Sequence, residues 1–303
     1  MLSVVICTYN REKYIYNALK SVAEQCFPHK SYEIIIINNN SNDKTEELCF
    51  KFHQDFPEVQ FSYFIEYRQG LSFARNRGIQ ESKGEIILFL DDDATAVPCW
   101  LSEYDIFFTN YPDAIAAGGP IIPCFESEKP EWISPIIEQL LGGKLYYGKN
   151  IIPFKNRKYP GGGNAAYRKK AFELFGLFNT ELGRKGSGLE GSEEKDMFDR
   201  FRNSGNLFYY LPKAIIHHFI SEKKLSLDYF KQLSIAIGIG EKKRTLSISK
   251  KKYIFRLFQE VIKWGASIIL FIGYSLILQP KKGWKLLQFR WYLSKGLFGK
   301  KST

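Results

Sequence analysis

Ile86-Ile87-Leu88-Phe89-Leu90-Asp91-Asp92-Asp93 joins five consecutive apolar residues to three consecutive carboxylates. An apolar run without polar alternation describes a strand covered on both faces, as in a parallel sheet flanked by helices. The acids that follow repel one another unless a cation or hydrogen-bond donors compensate. Upstream, two more apolar runs stop as abruptly in polar clusters. Residues 2–7 run into Thr8-Tyr9-Asn10-Arg11, and residues 33–37 into Asn38-Asn39-Asn40-Ser41-Asn42-Asp43. Ile15, Ala18, Leu19 and Val22 lie at helical spacing between them. A further helix is expected from near Lys44, a strand near residues 61–66 and a helix around residues 72–82. Strands alternating with helices predict an α/β fold, a doubly wound, mostly parallel sheet with helices on both faces. Ligands of such sheets bind beyond the carboxyl ends of the strands. Residues 8–11, 38–43 and 91–93 all fall there.

Residues 94–160 read as less regular, broken by eight prolines from Pro98 to Pro160. Beyond them come Gly161-Gly162-Gly163-Asn164, a helix over 169–175, a glycine-rich loop over 183–191 and a helix over 193–203 that starts at Glu193-Glu194. A strand at 207–211 and a segment ending in His217-His218 complete a domain expected to span residues 1–222.

The remaining residues, 223–303, change character. Of the net charge of +11, this segment carries +15, and residues 1–222 carry −4. Lys242-Lys243-Arg244, Lys250-Lys251-Lys252 and Lys281-Lys282 bracket an uncharged run over 264–279. A bilayer crossing needs about 20 apolar residues, more than this run offers. The expectation is a basic, apolar helical tail that is interfacial, re-entrant or tilted on an anionic membrane surface. A nucleic-acid binder usually places its basic excess on the folded domain instead. Five cysteines without a CxxC pair argue against a disulfide framework and a zinc site. The first apolar run begins at Leu2 with no leader before it, so a cytoplasmic setting is expected, peripheral or shallowly inserted at the inner face of the cell membrane.

Asp91 and Asp93, one residue apart, are placed to point the same way. Oxygen ligands suit Mg²⁺ or Mn²⁺ held together with substrate phosphates. The ordinary alternative is a solvated acidic turn, which rarely needs three acids directly after a buried strand.

Residues 3–11 (SVVICTYNR), 38–43 (NNNSND), 70–78 (GLSFARNRG), 89–94 (FLDDDA), 161–168 (GGGNAAYR) and 191–198 (GSEEKDMF) together resemble the ordered motifs of family 2 glycosyltransferases. That family has the GT-A fold, and the likeness covers roughly residues 2–222. It implies inverting, metal-dependent transfer of a sugar from a nucleotide-diphosphate donor to a hydroxyl acceptor, and the basic, apolar tail makes a glycan or lipid-linked oligosaccharide the expected acceptor. Carried over, the motifs place Thr8, Tyr9 and Arg11 beside the nucleoside, Asn39 at the base edge and Arg75 on the nucleotide or its phosphates. Asp91 falls near the ribose and donor sugar, beside Asp92, and Asp93 on the metal. Gly162, Gly163 and Asn164 line the donor and acceptor cleft. His218, seven residues before Leu225, fits the family's downstream metal or diphosphate ligand better than His217 does.

The general base is expected in the pair Glu193-Glu194, with Glu194 at the position where the family usually has Asp. Asn38 also departs from the usual Asp, and uridine is the preferred base. Gln288-Phe289-Arg290-Trp291 is similar to a processivity motif but one residue short, and reads as an interfacial basic and aromatic helix. A sugar-phosphate nucleotidyltransferase needs a Gly-rich first loop with Arg and Lys, which residues 8–11 lack. A catalytically inactive nucleotide- or glycan-binding scaffold is the alternative that Asn38 and Glu194 keep open.

Overall fold

The structure, a computed structural model, describes residues 1–156, 158–186 and 188–299. The strands are β1 (Leu2–Thr8), β2 (Tyr32–Asn38), β3 (Gln60–Ile65), β4 (Ile86–Leu90), β5 (Ala94–Ala96), β6 (Ala116–Gly118), β7 (Ile121–Phe125), β8 (Ile152–Pro153), β9 (Asn164–Arg168), β10 (Phe208–Tyr210) and β11 (Ile216–Ile220). The helices are α1 (Ile15–Ala23), α2 (Thr45–Asp55), α3 (Leu71–Glu81), α4 (Trp100–Asn110), α5 (Pro135–Leu140), α6 (Lys169–Phe175), α7 (Glu193–Asn203), α8 (Leu227–Ile248), α9 (Lys250–Leu276) and α10 (Pro280–Phe298). Among the described residues eight strands form one sheet in the order β3-β2-β1-β4-β9-β6-β10-β8, and β5-β11-β7 form a second, small one.

The first four strands are parallel, with Val4 opposite Ile34 on one side and Leu88 on the other. Strand alternation sends Val4, Ile34 and Leu88 to one face and Val5, Ile35 and Ile87 to the other, where separate apolar layers receive them. Covering both faces explains why these runs lack polar residues. β9 enters antiparallel between β4 and β6, so the sheet is mixed beyond β4.

The stretch over 94–160 is more ordered than its prolines suggest. Pro98 and Pro112 flank α4 without entering it, and the helix buries Trp100, Leu101, Tyr104, Phe107 and Phe108. Proline breaks a helix only from the inside.

The chain divides into two compact units. One comprises Met1–Cys124, Lys144–Glu181 and Glu193–Phe219, and the other Phe125–Gly143, Leu182–Ser192 and Ile220–Thr303. Two internal segments thus group with the helical tail. In this second unit α10 packs against both α8 and α9, around a core that includes Phe230, Leu233, Leu286, Phe289, Leu293 and Leu297. Residues 264–276 of the apolar run form the second half of the 27-residue α9, and 277–279 the turn to α10. Phe289, expected at an interface, is buried in this core.

Glycines let α8 and α10 meet backbone to backbone. A Cβ on Gly238 would lie 2.1 Å from the Leu293 carbonyl oxygen, and one on Gly296 2.1 Å from that of Ile235. At Gly265 in α9 a Cβ would meet nothing within 4 Å. Gly296→Val should therefore lower stability by about 1–3 kcal/mol or more through overpacking. Gly265→Ala should be neutral or raise it by about 0.5–1 kcal/mol through helix propensity. Urea unfolding midpoints compare them; equal effects would mean that the α8–α10 approach is not close.

Candidate active site

The loops after β1 and β2 are tied together where the parallel register brings Thr8 opposite Asn38. The Asn39 amide donates to the Thr8 carbonyl (2.8 Å). The Asn10 amide donates to Ser41 Oγ (2.9 Å), that of Asn42 to Asn10 Oδ1 (2.9 Å) and that of Arg11 to Thr45 Oγ1 (2.9 Å). Asn10 and Asn40 have φ values of 53° and 67°, left-handed conformations that Asn tolerates better than most residues. Two asparagines of these loops, Asn10 and Asn40, therefore meet a backbone requirement.

Arg11 leaves this platform toward the acids after β4. Its Nε lies 3.1 Å from Asp92 Oδ1, and its Nη2 3.8 Å from Asp93 Oδ2. From the other side β11 pairs antiparallel with β5, placing His218 opposite Ala94. The Phe219 amide donates to the Asp93 carbonyl (2.8 Å). His218 Nε2 is thereby set 3.0 Å from Asp93 Oδ1. One ligand atom each from Asp91, Asp93 and His218 falls within 4.8 Å of the others. His217 occupies the opposite strand phase, opposite Thr95. Burial raises the Asp91 carboxyl above its ordinary range, and the charge of Asp93 adds to the effect. Burial also pushes Asp92 up to about 6, against the opposing pull of Arg11. Crowded carboxylates that resist ionisation together, beside an imidazole nitrogen, form a donor set that fits a divalent cation.

The second charged group lies beside the first. Arg75, on α3, is buried, with its guanidinium 5.7 Å from the ring centre of Phe89 and 5.4 Å from that of Phe178. Its Nη1 donates to Glu193 Oε1 (2.9 Å) and its Nη2 to Glu194 Oε1 (2.8 Å). Burial opposes the charge on Arg75, but the two carboxylates outweigh it and raise its pKa. The Gly162 amide donates to Glu194 Oε2 (3.1 Å). A Cβ at Gly162 would lie 1.6 Å from Glu194 Oε1, and one at Gly163 2.1 Å from Asp91 Oδ2. These glycines let the chain run against both acids. The Glu193 side chain is 4% exposed and that of Glu194 25%, so Glu194 is the member of the pair that faces solvent.

Several expected ligand contacts turn out to be occupied within the protein. The Asn39 amide nitrogen donates to the carbonyls of Glu66 (2.8 Å) and Arg68 (2.9 Å), while its oxygen accepts from the Gly70 amide (2.7 Å). Asn39 thus holds the loop after β3. Asn164 Oδ1 accepts from Trp100 Nε1 (2.8 Å) and Tyr104 OH (2.9 Å), and its Nδ2 donates to the carbonyls of Pro120 (2.9 Å) and Ala214 (2.8 Å). It fastens β9 to α4 and to the chain at Pro120 and Ala214. Arg75, expected on phosphates, has both terminal nitrogens on the acidic pair. Thr8 is buried and Tyr9 half-buried at the end of β1. The roles of Trp100 and Tyr104 had no sequence signal, because their partner lies at least 60 residues away.

Residues 3–175, more than half of the chain, match the sequence profile described as "Glycosyl transferase family 2". The chain is 27% identical over 234 residues to the glucosyl-dolichyl phosphate glucuronosyltransferase of Haloferax volcanii, covering 75% of this chain and 72% of that one. It is 35% identical over 92 residues to the GalNAc(5)-diNAcBac-PP-undecaprenol beta-1,3-glucosyltransferase of Campylobacter jejuni, over 30% of this chain and 29% of that one. This second match is confined to under a third of the relative's length. Among solved structures, the mannosyltransferase PcManGT from Pyrobaculum calidifontis, in complex with GDP-Man and Mn²⁺, superposes with a TM-score of 0.66 at 16% identity. That superposition covers 99% of this chain and 88% of that one. The profile match and the architecture converge: this chain belongs to glycosyl transferase family 2 and has the GT-A fold.

Proposed function

We propose that the protein transfers a sugar, with inversion at the anomeric carbon, from a nucleotide-diphosphate donor to a hydroxyl of a lipid-carrier-linked glycan during polysaccharide assembly. The observation that carries this reading is the side-by-side placement of two charged groups, Asp91/Asp93/His218 and Arg75/Glu193/Glu194. One suits a donor's diphosphate with its cation and the other an acceptor's proton. The solved relative with GDP-Man and Mn²⁺ supports the first assignment. The polyprenyl carriers in the names of the two curated relatives support the acceptor class. UDP is the preferred nucleotide, and the enzyme works at the inner face of the cell membrane, with residues 1–222 assigned to transfer.

Asp91, Asp93 and His218 would hold Mn²⁺ or Mg²⁺. A cation bound there supplies positive charge that offsets the negative charge developing on the leaving diphosphate. Thr8, Tyr9 and Arg11 border the nucleotide, with Arg11 kept in place by Asp92. Glu194 takes the acceptor proton, because it is the acid of the pair that reaches solvent. Arg75 and the Gly162 amide fix its two oxygens, so little reorganisation is needed when the acceptor arrives. Glu193 shares Arg75 from the buried side and orients it.

In a thermal-shift assay, UDP with Mn²⁺ at 100 times its dissociation constant should stabilise the wild type by about 2.7 kcal/mol. Asp93→Ala should fold and lose this protection; equal protection in the variant would remove Asp93 from the cation site. Glu194→Gln should keep donor binding and lose turnover by about 10²-fold or more, whereas Glu193→Gln should turn over much better. The reverse ranking would make Glu193 the base. Slow sugar-nucleotide hydrolysis without acceptor should also be measurable in the wild type, and its complete absence would favour an inactive scaffold.

A further inference from the structure

α9 is built with its polarity reversed. From Ile254 to Leu278 every exposed residue is apolar or glycine. Ile254, Phe255, Phe258, Val261, Ile262, Ile269, Ile272 and Leu276 form one continuous stripe at helical spacing. Ile269 is 71% exposed, Leu276 79% and Leu278, in the turn to α10, 90%. Within the stripe's span of the same helix, Arg256 and Glu260 are buried against the protein. Arg256 donates to Glu260 Oε2 (2.8 Å) and to Glu241 Oε2 on α8 (3.2 Å). Arg290 on α10 donates to Glu260 Oε1 (3.3 Å) and to Ser267 Oγ (3.3 Å). Arg244 closes the network on Glu241 (3.2 Å). In water the stable arrangement is the opposite one, with apolar side chains inside and ions outside, because burying ions costs desolvation. A helix that spends its charges on the protein and leaves its hydrocarbon outside has its outer face in a medium other than water.

We infer that this medium is one leaflet of an anionic bilayer, with the outer face of α9 and the α9–α10 turn seated among its acyl chains. Charge identifies the occupant. Lys250, Lys251 and Lys252 precede the stripe, and Lys281, Lys282 and Lys285 follow it. Exposed Trp284 and Trp291 lie on α10 among the basic residues, the combination that favours a headgroup zone. A second copy of the chain on the same stripe would set these lysine clusters against one another in either orientation, whereas anionic headgroups accept both ends at once. No helix among the described residues is long and apolar enough to cross a membrane. The stripe runs along one side of α9, so insertion is in-plane and one-sided. It does not depend on the chemistry assigned to the acids.

The test is cosedimentation of the full chain with vesicles of phosphatidylcholine containing phosphatidylglycerol, and with vesicles of phosphatidylcholine alone. The wild type should pellet with the anionic vesicles and much less with the neutral ones. Ile262→Glu combined with Ile269→Glu, both exposed, should keep the wild-type melting temperature and lose about tenfold or more of the partitioning, since each substitution removes apolar contact and adds like charge to the anionic surface. Val261→Glu with Ile272→Glu serves as an independent pair if the first fails to fold. Binding of a folded variant equal to that of the wild type overturns the inference. So does wild-type protein that stays in the supernatant, whether light scattering finds it monomeric or as a dimer that the substitutions dissociate.

Discussion

Five carboxylates, those of Asp91, Asp92, Asp93, Glu193 and Glu194, converge near the carboxyl end of β4, and the groups described around them exist to keep them together. Two unit charges 4 Å apart interact by about 4 kcal/mol at the effective dielectric of a protein surface, so this concentration is untenable without compensation. Arg11 comes from the loop after β1, Arg75 from α3 and His218 from β11. Arg11 and His218 tie their elements to the strand end, and Arg75 ties α3 to the acidic start of α7. The balance still favours negative charge, a state that suits a divalent cation.

The polar residues around the acids serve rigidity before they serve any ligand. Asn39 and Asn164 have their amide groups satisfied by the protein itself. A fully satisfied buried network fixes a single arrangement, whereas a partly satisfied one leaves alternatives. Gly162 and Gly163 work by omission, since any side chain there would occupy the space of Glu194 and Asp91. Precise placement of a few reactive groups thus rests on residues that touch none of the reacting atoms.

The two units solve the burial problem in opposite ways. The sheet unit places hydrocarbon on both faces of its strands and gathers charge at one edge. The helical unit buries an ion network between α8, α9 and α10 and leaves the apolar stripe of α9 outside. Such a network is costly to assemble from water, and its retention fits a helix whose orientation is dictated by what lies beyond its outer face.

Periodicity is a local property, and what depends on it was legible in the amino-acid sequence. The apolar run of β4, the helices over 169–175 and 193–203 and the polar strand ends all stand where pattern places them, because covered strands and amphipathic helices impose their spacing on neighbouring residues. The acidic triplet stood out by its Asp-x-Asp spacing after an apolar run, and His218 was singled out through the family resemblance, by its spacing to Leu225. The helix α4 was hidden by flanking prolines, and the full length of α9 by the charges within its first half. Only the tertiary structure could decide how the charges are shared. Arg75 meets Glu194 across 119 residues, and Arg290 meets Glu260 across 30. Nothing in the local pattern of either partner records such a pairing, because the energy of an ion pair depends on distance in space and on exclusion of water, and chain folding sets both.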